Sequence, residues 1–313
     1  MNPLALAVFA SETGTHLLRE PATARWRGHV RTFDQQAYER RLTERGLRFV
    51  SELPPLLRSI HDPPVGLFVR GSGPLDLLAR PSVAVVGARA CSGYGASVAR
   101  SLARELAGAG LVVVSGLARG VDGEAHRGAL EAGGTTVAVL GCGIDRDYPA
   151  AHADLARRIA GGGLVVSEYA PGVDPAPWRF PARNRIVAGL AAATVVVEAR
   201  ERSGALITAD LALEEGRDVF AVPGEITSAL SAGTNGLLKL GAAPLTSAAD
   251  VLSSFGIEPE PRESSSPLLE LLPATADELV RRTGLAAADV AAALVQLELD
   301  GRVAAHDGTY RRI

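Results

Sequence analysis

Arginine is the residue type whose placement in this chain most strongly suggests a chemistry. Arg89 lies in a glycine turn, Gly87-Ala-Arg-Ala-Cys-Ser-Gly-Tyr-Gly95, directly after the apolar run Ser82–Val86. Strand, glycine turn and helix together are how open α/β sheets make an anion site. The glycines admit backbone N–H groups, and the helix N-terminus adds partial positive charge. Arginines recur in similar settings: Arg119 after Ser115-Gly116, Arg146 before Tyr148-Pro149, and Arg200 and Arg202 before Ser203-Gly204. Arg183 and Arg185 close the segment Trp178-Arg-Phe-Pro-Ala-Arg-Asn-Arg185, which also supplies Trp178 and Phe180. A guanidinium fork makes bidentate contacts to phosphate oxygens, so repeated arginines suit repeated phosphates. Flat aromatic faces between them suit the unpaired bases of a single strand. The plainer role for Phe180 and Trp178 is a core or loop-anchoring contact.

A nucleotide cofactor fits less well. The first turn lacks G-x-G-x-x-G spacing and puts Arg89 where backbone should approach a pyrophosphate, and no G-x-x-x-x-G-K-[ST] occurs anywhere. No cofactor and no metal is therefore expected.

The elements that must position these residues are legible as a repeated βα pattern from Val65 to about Gly256. Strand candidates are Val83–Val86, Leu111–Ser115, Thr136–Leu140, Leu164–Ser167, Thr194–Val197, Val219–Val222 and, weakly, Ala243–Thr246. Helical stretches between them include Ala96–Ala107, Gly123–Ala132, Ala150–Ala160, Arg183–Ala192 and Ala205–Glu215. Continuous apolar strands are those buried on both faces, which predicts an α/β fold: an extended Rossmann-like, doubly wound, mainly parallel sheet. Six successive strand ends carry glycine together with Arg, Ser, Asp or Glu, more than turns need, and all are C-terminal ends, where such sheets bind ligands.

Residues 1–64 read as a short leading segment with a helix at Phe33–Gly46 and a strand at Leu47–Val50. Residues 65–256 read as the Rossmann-like domain. A Pro- and Ser-rich stretch, 257–266, reads as a linker. Residues 267–313 give helices at Leu268–Leu272, Thr275–Thr283 and Ala287–Asp300, and a hairpin around Asp307-Gly308, which is a small winged-helix pattern. Thr275 with Glu278 forms a capping box, and Gly284 is a helix stop.

Composition narrows the class further. The net charge of -3 excludes a protein coated in positive charge, though not a local basic groove. No apolar run approaches a membrane span, and the apolar first residues lack the basic start and cleavage site of a signal peptide. The only cysteines, Cys91 and Cys142, cannot form a zinc cluster by themselves or staple a chain of this length, so the cytoplasm is the expected compartment.

Seven motifs, in order, resemble a known family. They are Val86-Gly-Ala-Arg89 with Gly93-Tyr-Gly95, Ser115-Gly-Leu-Ala-Arg-Gly-Val-Asp122 with Ala125-His126, Tyr148-Pro149, Ser167-Glu168-Tyr169, Phe180-Pro-Ala-Arg-Asn-Arg185, Ser203-Gly-Ala-Leu-Ile-Thr208, and Gly216-Arg with Ala221-Val-Pro-Gly224. Together they are similar to the DNA-processing protein DprA (Smf) family over about three fifths of the chain. The resemblance implies a non-catalytic, dimeric single-stranded DNA-binding protein that protects incoming DNA and loads RecA recombinase during natural transformation. By motif position, Arg89, Arg119, Arg146, Arg183 and Arg185 are expected at the DNA, with Ser115 and Gly116 as donors and Phe180 in a base pocket. The leading segment is short for the helical domain many members carry.

Asp122, Glu124 and His126 tempt an enzyme reading. Asp122 is also a good N-cap for the helix behind it, and His126 could simply orient that turn, so the structural role is preferred. The runner-up function is a nucleotide or nucleoside-phosphate hydrolase on a related fold, but its Pro-Gly-Gly-x-Gly-Thr-x-x-Glu loop is absent. A duplex-binding regulator is disfavoured because helix Ala287–Asp300 has no basic residue, which is unfavourable for phosphate contact. The C-terminal module is expected to contact protein.

Overall fold

β-Branched residues set the architecture, because Val fits a pleated, buried surface better than a helix. The structure, a computed structural model, describes residues 2–14, 21, 23–258, 267–299, 301–306 and 308–312. Its strands are β1 (Leu47–Val50), β2 (Leu67–Arg70), β3 (Ser82–Val86), β4 (Val112–Ser115), β5 (Thr136–Val139), β6 (Leu164–Ser167), β7 (Ala193–Val196), β8 (Asp218–Ala221) and β9 (Ala243–Pro244). They form one sheet in the order β1-β2-β6-β5-β4-β3-β7-β8-β9. From β6 to β9 every pairing is parallel, while β1 and β2 run antiparallel at one edge. Chain order reverses at β3, which lies between β4 and β7. That is the topological switch point where a doubly wound sheet opens a crevice.

The helices are α1 (Pro3–Thr13), α2 (Ala24–Thr32), α3 (Gln35–Glu44), α4 (Pro55–Arg58), α5 (Gly93–Gly108), α6 (Val121–Glu131), α7 (Ala153–Ala160), α8 (Arg179–Leu190), α9 (Gly204–Glu214), α10 (Ala232–Lys239) and α11 (Ala248–Ser254). Alternation along β3 shows the two layers. Ala84 and Val86 pack with α4, α8 and α9, whereas Val83 and Val85 pack with α5, α6 and α11. A side chain of this kind contributes roughly 1.5–3 kcal/mol when fully buried, so both faces of the sheet are held mainly by apolar burial.

The leading segment is more ordered than its sequence pattern predicts. It holds α1, α2, α3 and the one-turn α4 where one helix is expected. Asn2 caps α1 by accepting from the Ala5 amide at 3.0 Å, and Leu4 and Val8 of α1 join Phe68 and Leu155 in a core beside β2 and α7. β1 pairs with β2, so the sheet begins within the stretch read as a separate segment. β2, α10 and α11 have no counterpart in the sequence-based pattern.

Residues 259–313 form a second compact unit. The described part holds α12 (Pro267–Glu270), α13 (Ala276–Thr283), α14 (Ala287–Leu299) and a small sheet of β10 (Ala274–Thr275), β11 (Val303–His306) and β12 (Thr309–Arg312), ordered β10-β12-β11. Its capping box forms as expected: the Thr275 hydroxyl accepts from the Glu278 amide at 3.2 Å, and the Glu278 carboxylate accepts from the Thr275 amide at 2.8 Å. Gly284 ends α13 in the left-handed conformation at φ 70°. Most of the stretch read as a linker, 259–266, lies outside the described residues.

Candidate functional site

A cavity of about 420 Å³ opens at the C-terminal ends of β3, β4 and β7. Its walls are the turn Gly87–Ala90, the start of the loop after β4, the first turns of α8 and the segment Arg200–Ala205. Arg89, Arg200 and Arg202 line it and are exposed; among the described residues none has an ion-pair partner. The Arg89 guanidinium lies 5.3 Å from the centre of the Phe180 ring, a cation–π distance. Phe180 in turn stacks on Tyr148, with centroids 5.3 Å apart and planes 23° apart. The ring can reach that position because residue 141 is glycine, since a Cβ there would stand 2.9 Å from Phe180 Cδ1. One end of the cavity therefore carries a positive charge on an aromatic step.

Arg183 supplies a buried part of the wall and is only 4% exposed. Its Nη1 donates to the Gly116 carbonyl at 2.7 Å and to the Val139 carbonyl, tying α8 to the ends of β4 and β5. Asp122 accompanies it. Burial pushes the Asp122 carboxyl up, opposed chiefly by Arg183 and by the amides of Ala118 and Gly116. Burial pulls Arg183 down, with Asp122 as the main opposing influence. A guanidinium keeps its proton in proteins, so a buried positive charge stands beside the Asp122 carboxyl.

Asp122 is not the N-cap that the sequence suggests. α6 starts two residues earlier, at Val121 with Gly120 as N-cap, and the Asp122 carboxylate reaches back to accept from Gly116 N at 3.1 Å and Ala118 N at 3.2 Å. Those bonds hold a loop in which Leu117 adopts a left-handed φ of 59°, a strained value for a side chain of this size. His152 Nδ1 braces the same residue at its carbonyl, 3.0 Å away. His126 does not orient the turn: it is fully buried and bonds Thr136 Oγ1 at 2.7 Å. At Gly120 (φ 75°) a Cβ would overlap the Ala88 carbonyl, so the first two glycine turns pack back to back.

The model of the family described as DNA recombination-mediator protein A matches residues 47–256, and that of the DprA winged helix domain matches 259–309. The chain belongs to the DprA family. It is 51% identical to DNA processing protein DprA of Streptococcus pneumoniae over 199 residues, covering 64% of this chain and 70% of the relative. It is 40% identical to Protein Smf of Escherichia coli over 281 residues, covering 83% and 75%. The X-ray structure of the pneumococcal protein matches with a TM-score of 0.69 at 41% identity, covering 80% of this chain and 90% of that one. A structure of DNA processing protein A from Helicobacter pylori, described for its single-stranded DNA binding mode, matches with a TM-score of 0.61 at 32% identity, covering 67% and 95%.

Within this DprA-family chain, four of the residues expected at the site meet at the cavity: Arg89, Gly116, Phe180 and Arg183. The other four do not line it. Ser115 is fully buried and donates its hydroxyl to the Val85 carbonyl at 2.6 Å, so it joins β4 to β3. Arg119 is exposed but stands outside the wall. Arg146 pairs with Asp174 at 2.9 Å and donates to the Gly172 carbonyl. Arg185 is two residues past Arg183, roughly 200° around the helix, and so faces elsewhere. It makes a two-point contact with Glu168 at 2.9 and 2.7 Å and bonds Asp62. Tyr148 and Glu198, which the sequence puts at the same strand ends but to which no role in the site is assigned, stand beside it. An aromatic directly before Pro149, and an acid closing the buried run of β7, were the available signals. Among the described residues no group of three His, Cys, Asp or Glu side chains is placed to hold a metal.

Proposed function

We propose that this chain binds single-stranded DNA without catalysis, as a recombination mediator. In this reading the strand's phosphates run along Arg89, Arg200 and Arg202, and a base stacks near Phe180. The observation that carries it is the pairing of an exposed arginine with an aromatic step at the sheet's switch point (Arg89 over Phe180, 5.3 Å). Support also comes from the Helicobacter pylori relative, whose structure was described for its single-stranded DNA binding mode. The non-catalytic part is supported by His126, which is buried and bonded to Thr136 rather than to Asp122. The finer part of the reading, a cytoplasmic homodimer that protects incoming DNA and hands it to RecA during natural transformation, rests on the resemblance to the family alone. Gel shift of the full chain with an oligothymidylate and with duplex DNA tests the reading. Salt-sensitive binding of the single strand, stronger than of duplex, is expected; equal affinity for duplex would sink it. A screen for nucleotide hydrolysis separates this reading from a hydrolase.

A further inference from the structure

Two buried carboxylates stand where an open α/β sheet ordinarily offers its amides to a phosphate. Asp122, 7% exposed, lies in the first turn of α6, and its Oδ2 takes up the Gly116 and Ala118 amides of the preceding loop at 3.1 and 3.2 Å. Glu198, 5% exposed, follows β7 and reaches the N-terminus of α5. It accepts from the Ser92 amide at 2.8 Å and from the Ser92 hydroxyl at 2.5 Å, and a Cβ on Gly95 would overlap its Oε2. Each of the two helices behind the glycine turns therefore already has an anion of the chain's own at its first turn. Acids are rarely this buried unless a partner holds them, and here the partners are the groups a nucleotide would use.

We propose that Asp122 and Glu198 are specificity determinants that shut nucleotide phosphates out of the two glycine turns. A phosphate entering either turn would compete for amides already engaged, and would face a like charge at close range. Like charges that close repel strongly where water is largely excluded. What remains for an anion is the exposed arginines of the cavity wall. One phosphate on one exposed arginine gains little, whereas several phosphates in series add up through counterion release. The preference for a polymer rests on the strand-binding reading above; the exclusion of nucleotides does not.

The test is calorimetric titration of the full chain and of its Asp122→Asn and Glu198→Gln variants with ADP and, separately, with an oligothymidylate. Asn can keep one oxygen on both loop amides. Gln can keep one on the Ser92 amide and turn its NH₂ to the Ser92 hydroxyl, which accepts as well as donates. The wild type should bind ADP no tighter than the millimolar range. Each folded variant should bind ADP about tenfold tighter or better. Oligothymidylate binding should persist in all three. Variants of native melting temperature whose ADP affinity stays at the wild-type value would overturn the proposal, a result that a merely structural role for the acids predicts. If one variant fails to fold, the other decides. Micromolar ADP binding by the wild type would overturn the proposal without either. Failure of the wild type to bind oligothymidylate would count against the strand-binding reading alone and leave the ADP comparison standing.

Discussion

The Arg183 guanidinium lies against Gly116 so closely that a Cβ there would overlap Nη2, while Nη1 donates to the same residue's carbonyl at 2.7 Å. Arg183 is thus both a strut and part of the cavity wall. It joins the loop after β4, the end of β5 and the first turns of α8, the three elements that must hold still for Arg89 and Phe180 to face a common ligand. Its charge is largely spoken for by Asp122 and two carbonyls, so the exposed arginines supply the unshared positive charge.

Replacing Gly116 tests the strut. Gly116→Ala should destabilise the fold by about 1–3 kcal/mol, the usual cost of forcing atoms into a packed site. Arg183→Lys should also lower the melting temperature, because an ammonium lacks the planar guanidinium that packs Nη2 against Gly116 while Nη1 donates to both carbonyls. Thermal denaturation measures both. A wild-type melting temperature for Gly116→Ala would show that Arg183 has room to move.

The exposed arginines should behave in the opposite way. Arg89→Ala, Arg200→Ala and Arg202→Ala should each leave stability within about 0.5 kcal/mol of wild type, as surface changes commonly do. Each should weaken oligothymidylate binding and reduce the slope of log affinity against log salt by about 0.7 for every phosphate left without its arginine. Fluorescence anisotropy at several salt concentrations reads both quantities. An unchanged slope in all three would move the phosphate path away from this cavity.

How much of this was legible beforehand depends on the range of the interactions involved. The strands around the switch point show themselves locally, since runs such as Val83–Val86 and Thr194–Val197 differ from buried strands by a residue or so at their ends. β2 is short and flanked by prolines and glycines, and its pairing with β6 joins residues about a hundred positions apart, so no local pattern marks it. At the site, Arg89 was readable because its surroundings are its own turn. Arg183 and Arg185 look alike in sequence, yet the helix sends one to Gly116 and Val139 and the other to Glu168 and Asp62. Partners that distant are set by the fold, and so the sequence ranks the two equally.

Arg185 therefore should matter to stability rather than to the ligand. Arg185→Ala leaves the half-buried Glu168 without its two-point contact, and removing one partner of such a pair costs about 3–5 kcal/mol. The folded variant should bind oligothymidylate with wild-type affinity. Denaturant titration and anisotropy on the same preparation separate the two effects. A native-like midpoint combined with abolished binding would return Arg185 to the phosphate path.

His126 gives the fold a pH dependence whose sign can be worked out. The Thr136 hydroxyl donates to the Val113 carbonyl at 2.6 Å, so it accepts from His126 Nδ1, and Nε2 is left buried with no partner. Burial, then the neighbouring His152, Arg183 and Arg127, pull this imidazole down from 6.5 to about 3. Because the folded value lies below the unfolded one, the unfolded chain takes up the proton first. Stability is full above about pH 6.5 and falls as the pH drops toward 3, by up to about 1.4 kcal/mol per unit. Asp122 contributes the opposite sign: its raised carboxyl takes up a proton in the folded state first, which offsets part of the loss at the acid end. His126→Asn, whose amide can still donate to Thr136, should be less stable at neutral pH because it is smaller, yet show a flatter stability profile between about pH 6 and 4. Urea denaturation across that range checks the slope. Parallel profiles for the variant and the wild type would show that His126 is not the group titrating.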